Sequence, residues 1–312
     1  MTFGNTEWGT DKAQSARIVD AFIDAGHNFI DTADVYNAGA SEKIVGRAIA
    51  NKRDDVVLAT KGYNVMGGGP NDRGSSRVHL TRALDASLRR LGTDYLDLYQ
   101  LHNWDHDTPI EESMATLDGF VRSGKVRYIG CSNFFASQLV EAQWAADRRG
   151  GAPLVSLQPQ YSLIWRDIET DILPTAIRHG MGVIVWSPLG GGMLTGKYAQ
   201  GGELPVDGRL SRGSDMEAEG MRRLTLTDHN FKIVEEVANV ATELTATPTA
   251  VSLAWLTGRQ GVTSIIIGPR TIEQLQQNLA GFDLTLPLDL AKNLSRVSRL
   301  PVSYPWYMQL QH

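Results

Sequence analysis

The chain is nearly free of cysteine: its 312 residues include one, Cys131. No internal disulfide can form, which excludes a disulfide-stapled secreted scaffold. No apolar run reaches the ~18 residues that span a bilayer, and residues 1–11 carry no apolar core of a secretory signal. There is no surplus of positive charge. Thirty Lys and Arg stand against 35 Asp and Glu, a net −5, so the basic footprint of a nucleic-acid binder is missing. No G-x-G-x-x-G occurs, which argues against a Rossmann dinucleotide site. No repeat and no Pro- or Ser-rich linker divides the chain. With 42 % hydrophobic and 21 % charged residues, the composition is that of a globular protein rather than a disordered one. The expectation is one soluble, cytoplasmic domain over residues 1–312.

What is present is an alternation of short apolar runs with longer amphipathic ones. Apolar spacing predicts helices over 11–25, 41–50 (Ser41 as the cap), 75–91, 110–122, 136–148 and 167–178. It predicts further helices over 229–244, 249–256, 271–279 and 289–298. Strands are predicted over 28–30, 55–60, 95–101, 126–130, 154–158, 182–186 and 262–267. Residues 1–4 offer the one candidate for an eighth, and 199–228 reads as a long polar connection, a lid over a bound cofactor or a solvated loop. Strands alternating with helices are parallel. At this length a closed (β/α)8 TIM barrel of the α/β class fits, with a doubly wound open sheet as the runner-up.

Active sites of such barrels lie at the carboxyl ends of the strands. Those ends carry Asp31 followed by Tyr36, then Lys61, His102, Ser132 with Asn133, Gln158, and Trp186 with Ser187 and Pro188. Taken singly, each has an ordinary structural role: a cap, a surface lysine, an interface aromatic, a core histidine. Four titratable side chains at the same end of consecutive strands are hard to obtain from independent roles. An ammonium beside a phenol favours the phenolate, a carboxylate keeps the ammonium oriented, and a neutral imidazole can donate a hydrogen bond to an oxygen. The set can protonate a carbonyl oxygen while its carbon receives a nucleophile. No side chain is an evident nucleophile, so hydride from a nicotinamide is the simplest source.

The stretches NFIDTADVY, ATKG, DLYQLH, IGCSNF, QPQYS, WSPLGGGMLTGKY and IIIGPRTIEQLQQN, in order along nearly the whole chain, resemble the aldo-keto reductase family. Within it the chain is similar to the aryl-alcohol-dehydrogenase-like and potassium-channel beta-subunit branch. The resemblance implies an NADP(H)-dependent reductase of small carbonyl compounds, with no nucleic acid, membrane or metal involved and the oligomeric state open. It makes Tyr36 the general acid, Lys61 the residue that lowers its pKa, Asp31 the partner of that lysine and His102 the group that orients the carbonyl. It gives Ser132, Asn133 and Gln158 to the nicotinamide carboxamide and Trp186 to the nicotinamide ring. It gives Ser187, Pro188, Leu189, Gly191 and Lys197 to the pyrophosphate, with Arg209 as a further phosphate contact. Gly268, Arg270, Gln274 and Asn278 match the adenosine and 2′-phosphate positions. Apart from the resemblance, the glycine-rich loop 67–72 reads either as a flexible connection or as part of the substrate mouth, with Tyr63, Met66 and Trp104 as its walls.

Two departures stand out. Many members carry arginine where Gln274 stands, which leaves the 2′-phosphate to Arg270. Family members also begin with a hairpin and a full first strand, and this chain opens near the end of that strand, so both are expected to be shortened or missing. The alternative function is that of a regulatory subunit that binds NADPH with little or no catalysis. His102 argues against it, because the channel subunits lack a histidine there. Gly191 to Lys197 approaches a Walker A motif, but Tyr198 replaces the magnesium-binding hydroxyl. His102, Asp105, His106 and Asp107 have metal-ligand chemistry, though a solvated loop accounts for them.

Overall fold

Short polar side chains set the helix starts. Asp11 accepts a hydrogen bond from the Gln14 amide, Ser76 from His79, Thr227 from Asn230 and Thr247 from Ala250. A computed structural model describes residues 1–5, 9–206, 208–211, 216–302 and 304–309. From the amino end its elements are α1 (Lys12–Asp24), β1 (Phe29–Asp31), α2 (Ala40–Ala48), β2 (Val57–Gly62), α3 (Arg77–Leu91), β3 (Leu96–Leu101) and α4 (Ile110–Arg122). There follow β4 (Val126–Ser132), α5 (Ala136–Asp147), β5 (Leu154–Gln158), α6 (Ile172–Arg178) and β6 (Gly182–Val185). The remainder holds α7 (Met216–Thr225), α8 (Asp228–Glu243), α9 (Pro248–Thr257), β7 (Val262–Ile265), α10 (Ile272–Asp283), α11 (Leu288–Val297) and the short α12 (Trp306–Gln309). Helix and strand alternate from α1 to β6, and α7, α8 and α9 precede β7, an α/β order consistent with a (β/α)8 barrel fold.

Four expectations are corrected. Ser41 does not cap α2: the helix starts at Ala40 behind Gly39, whose φ of 83° only glycine adopts freely. The Ser41 hydroxyl pairs instead with the Thr32 hydroxyl at 2.9 Å. The predicted helix over 167–178 is split into a 3₁₀ turn, Asp167–Glu169, and α6. Pro174 has no N–H and is placed in the first turn of α6, where none is needed. The polar stretch 199–228 contains a 3₁₀ turn, Arg209–Ser211, and α7; residues 207 and 212–215 of it lie outside the described residues. Residues 1–4 form no strand, only a single bridge from Phe3 to Thr10.

The chain folds as two compact units. Unit 1 comprises Met1–Pro159, Thr175–Ile184 and Gly268–Leu275. Its strands are parallel in chain order, each hydrogen-bonded to the next from β1 to β6. Leu58, Leu96, Tyr99, Ile129, Leu157 and Val183 are buried in its core. Helices α2 and α3 approach so closely that a Cβ at Gly46 would lie 2.2 Å from the Leu91 carbonyl oxygen. Unit 2 comprises Gln160–Pro174, Val185–Ile267 and Gln276–His312. Its core gathers Ile233, Val237, Val240, Leu253, Trp255 and Leu294 from α8, α9 and α11. Arg166 is bound there to Glu169, the Ser295 carbonyl and Ser298. Among the described residues no helix is long and apolar enough to cross a membrane.

Candidate active site

Register explains why the polar side chains of unit 1 meet. Laterally paired residues of a sheet point to the same face, and so do residues two apart on a strand. Asp31 pairs with Ala59, two before Lys61; Lys61 pairs with Gln100; Gln100 with Gly130; and Ser132 with Gln158. Asp31, Lys61, Gln100, Ser132 and Gln158 therefore share one face at the carboxyl end of the sheet. His102, two past Gln100, continues the series, its backbone N–H donating to the Gly62 carbonyl at 3.1 Å.

Lys61 is fully buried. Its Nζ lies 2.5 Å from Asp31 Oδ2, donates to the Thr32 carbonyl at 2.9 Å and reaches the Tyr36 hydroxyl at 3.4 Å. Burial opposes the lysine charge, but Asp31 and Tyr36 outweigh it and its pKa lies above the ordinary lysine value. Asp31 Oδ1 accepts from Gln158 Nε2 at 2.9 Å and Gln100 Nε2 at 3.2 Å. Tyr36, half-buried, follows β1 in the turn before α2, its ring 5.7 Å from that of His102 at 80°. Burial, then the Lys61 charge, pushes the His102 pKa down to about 3, so the imidazole is neutral at physiological pH. The structure thus brings together the four residues expected from the sequence, a buried cation within reach of a half-buried phenol beside a neutral imidazole.

Three members were missed. Gln100 lay inside a strand, where its amide could have been noticed as the polar residue of an apolar run. Thr32 acts through its backbone carbonyl, which no side-chain pattern reports. Asn64, whose Nδ2 lies 2.9 Å from His102 Nδ1, sits in a loop of no fixed period. A second layer backs the site. Glu42, fully buried, accepts from Thr60 at 2.7 Å and pairs with Arg90 at 2.5 Å. Asp34, also fully buried, donates its amide to the Lys61 carbonyl and accepts from Val35 N on Oδ1, while Oδ2 has no partner.

The residues expected to hold a cofactor occur in both units. In unit 1 Ser132 Oγ donates to the Gln158 carbonyl at 2.7 Å, and Asn133 Nδ2 to the His102 carbonyl and Asn103 Oδ1 at 3.1 Å. These bonds, with that from Gln158 to Asp31, leave the Ser132 hydroxyl lone pairs and the Gln158 amide oxygen as capacity for a carboxamide. Gly268, Arg270 and Gln274 lie on a later segment of unit 1, where the Arg270 N–H donates to Gln274 Oε1 at 2.8 Å. In unit 2 Trp186 opens a turn with Ser187, Gly190, Gly191 and Gly192 all at positive φ. Such turns collect backbone N–H groups suited to phosphate. A Cβ at Gly192 would come within 2.9 Å of Lys197 Cε, so glycine leaves room for that side chain. Tyr198 ties the Arg209 segment to this turn, donating to the Gly191 carbonyl and accepting from Leu210 N at 3.0 Å. Asn278 is buried in unit 2. Taken by itself, the donor set of unit 1 fits the carboxamide of a nicotinamide, and the glycine turn with lysine of unit 2 fits a phosphate.

Of the expected substrate walls, Trp104 packs edge-on to Phe134 at 5.2 Å and the Tyr63 carbonyl accepts from Gly74 N. The loop 67–72 is tied by Asp72, which accepts from Gly69 N at 2.8 Å. Asp105 is engaged by Ser75 and by the Asp107 amide. Among the described residues no group of three His, Cys, Asp or Glu is disposed to hold a metal. A groove of about 770 Å³ lined by Arg53, Asp85, Tyr95 and Lys125 lies at the amino ends of the strands. Its size does not make it the site, because the perturbed groups cluster at the other end.

Comparison with known proteins identifies the family. A family model described as the Aldo/keto reductase family matches residues 1–298. The chain is 37 % identical to an uncharacterized oxidoreductase, YrpG, of Bacillus subtilis, covering 98 % of this chain and 95 % of that protein. It is 35 % identical to a probable voltage-gated potassium channel subunit beta of Arabidopsis thaliana, with 98 % and 92 % covered. It is 31 % identical to a norsolorinic acid reductase of Aspergillus flavus, with 98 % and 78 % covered.

Proposed function

The chain belongs to the aldo/keto reductase family, whose members are oxidoreductases that use nicotinamide cofactors, and from that premise we propose that it reduces an aldehyde or ketone carbonyl with NADPH, Tyr36 serving as the acid. The observation that carries this reading is the buried Lys61, 2.5 Å from Asp31 and 3.4 Å from the Tyr36 hydroxyl. A nicotinamide, when bound, would supply the hydride for the carbonyl carbon, chemistry that no side chain here offers. Tyr36 gives its proton to the carbonyl oxygen as the C=O π pair moves onto that oxygen. The phenolate left behind is stabilised by the Lys61 ammonium until it regains a proton from water. His102, neutral, donates to the same oxygen and fixes its direction. Asp31, held by Gln100 and Gln158, keeps the ammonium aimed at the phenol.

Ser132, Asn133 and Gln158 are the proposed carboxamide partners, and Trp186 the surface for the nicotinamide ring. Ser187, Pro188, Leu189, Gly191, Lys197 and Arg209 would serve the pyrophosphate. Gly268 and Asn278 would serve the adenosine. Arg270 is the proposed 2′-phosphate ligand, since a guanidinium can fork onto phosphate, with Gln274 beside it. Tyr63 and Trp104 favour aromatic or medium-sized carbonyls. The protein is proposed to act in the cytoplasm as one domain.

The test follows NADPH absorbance over a panel of aromatic and aliphatic aldehydes. Wild type should oxidise NADPH, and Tyr36→Phe should lose that rate while still binding cofactor. Equal Michaelis constants for NADPH and NADH would overturn the NADP assignment. Tight NADPH binding without turnover of any aldehyde would favour a regulatory role, the second reading suggested by the relative named as a channel beta subunit.

A further inference from the structure

The backbone of His102 is fixed at two points. Its N–H donates to the Gly62 carbonyl, and its carbonyl accepts from Asn133 Nδ2. The ring is fixed at a third, Nδ1, where Asn64 Nδ2 approaches to 2.9 Å. Asn64 lies two residues beyond β2 and is itself held. The preceding Tyr63 carbonyl accepts from Gly74 N at 2.7 Å, and Met66 N donates to the Asp72 carbonyl at 2.9 Å. A neutral imidazole has one N–H and one bare nitrogen. An amide N–H aimed at Nδ1 requires Nδ1 to be the bare one, which leaves the proton on Nε2. The opposite tautomer would present a lone pair at Nε2 and repel a carbonyl oxygen.

We propose that Asn64 is a positioning residue that selects the Nε2–H tautomer of His102 and so makes the ring a hydrogen-bond donor to the substrate oxygen. Its catalytic consequence rests on the carbonyl-reductase reading; its effect on the ring does not. Asn64 does not touch the reacting atoms and acts only through the imidazole.

The experiment is ¹⁵N NMR of histidine-labelled protein without cofactor or substrate, with the His102 ring signals assigned by their loss in His102→Gln. Wild type should show Nδ1 unprotonated and Nε2 protonated. Asn64→Asp offers only an acceptor, so its ring should carry a proton on Nδ1. Asn64→Ser, whose hydroxyl can donate, should keep the wild-type tautomer. If the protein reduces carbonyls, kcat should fall on the order of a hundredfold in Asn64→Asp, the scale of losing one aimed donor, and recover in Asn64→Ser. A wild-type Nδ1–H tautomer, or one unmoved by Asn64→Asp, overturns the proposal. Should Asn64→Asp fail to fold, Asn64→Leu, which offers no donor, should weaken the preference for the Nε2–H tautomer, and a ring unmoved by it overturns the proposal. A wild type with the expected tautomer but no carbonyl turnover would refute the reductase reading and leave the role of Asn64 in fixing the ring intact.

Discussion

Replacing Asp34 by Asn should make the protein more stable at neutral pH and leave it little changed in acid. Asp34 is fully buried. Burial first, then the nearby Glu42 carboxylate, raises its pKa from 3.8 to about 7, against the opposing pull of the Val35 amide, Arg90 and Lys61. The Tyr99 hydroxyl, also buried and without a partner, is a further neighbour. A carboxyl whose folded pKa is raised contributes stability that is complete below the unfolded value and lost as pH climbs through the folded one. Here the loss runs from about pH 4 to about pH 7, and a shift of roughly three units corresponds to about 4 kcal/mol in all. Asn keeps the shape and the acceptor for Val35 but never ionises. Between about pH 5 and pH 8 the stability advantage of Asp34→Asn should therefore grow by about 3 kcal/mol. At this chain length that is a change in Tm of roughly 5 °C. Urea unfolding of both proteins at the two pH values measures it, with thermal melts as a second probe. An advantage that stays constant across that range would refute the argument, because it would mean Asp34 does not titrate between them.

Three further outcomes follow from the same geometry. Lys61→Met should abolish turnover and also destabilise the fold by about 3–5 kcal/mol, since it leaves the buried Asp31 carboxylate without a cation; Tyr36→Phe should abolish turnover with little loss of Tm, and equal melting of the two variants would contradict this. Gly46→Ala should cost about 1–3 kcal/mol in chemical denaturation, because its methyl would press into the Leu91 backbone. The pH profile of kcat/KM should show no limb from His102 between about pH 5 and pH 8, its pKa being about 3; a limb in that range removed by His102→Gln would show the ring to be less shielded.

The strand ends were legible because a parallel strand imposes a two-residue period, so Asp31, Lys61, His102, Ser132 and Gln158 could be located by counting. Turns impose no period. Ser41 read as a cap because serine often is one, yet the preceding glycine took over the helix start and freed its hydroxyl for Thr32. Helix α7 escaped because its sequence carries few apolar residues to mark a face. The contact of Asn64 with His102 joins two loops whose meeting depends on β2 and β3 being neighbours, which no local pattern states. The tie between the Arg209 segment and the glycine turn was hidden for a similar reason: it runs through the Tyr198 hydroxyl, which bonds to Gly191 seven residues before it and to Leu210 twelve residues after it.

Unit 1 is assembled from three stretches of chain, the last being Gly268–Leu275. A ribosome delivers residues in order, at roughly 5–20 per second. The strands of this unit are therefore complete on the order of ten seconds before its last stretch is synthesised. In that interval the buried lysine and carboxylates already exist, but Arg270 and Gln274 do not. On the proposed reading, NADPH cannot stabilise the nascent unit fully by mass action until that last stretch has been made. Until then the newborn unit depends on its own packing, and on that reading the cofactor would select only chains that already carry the stretch Gly268–Leu275.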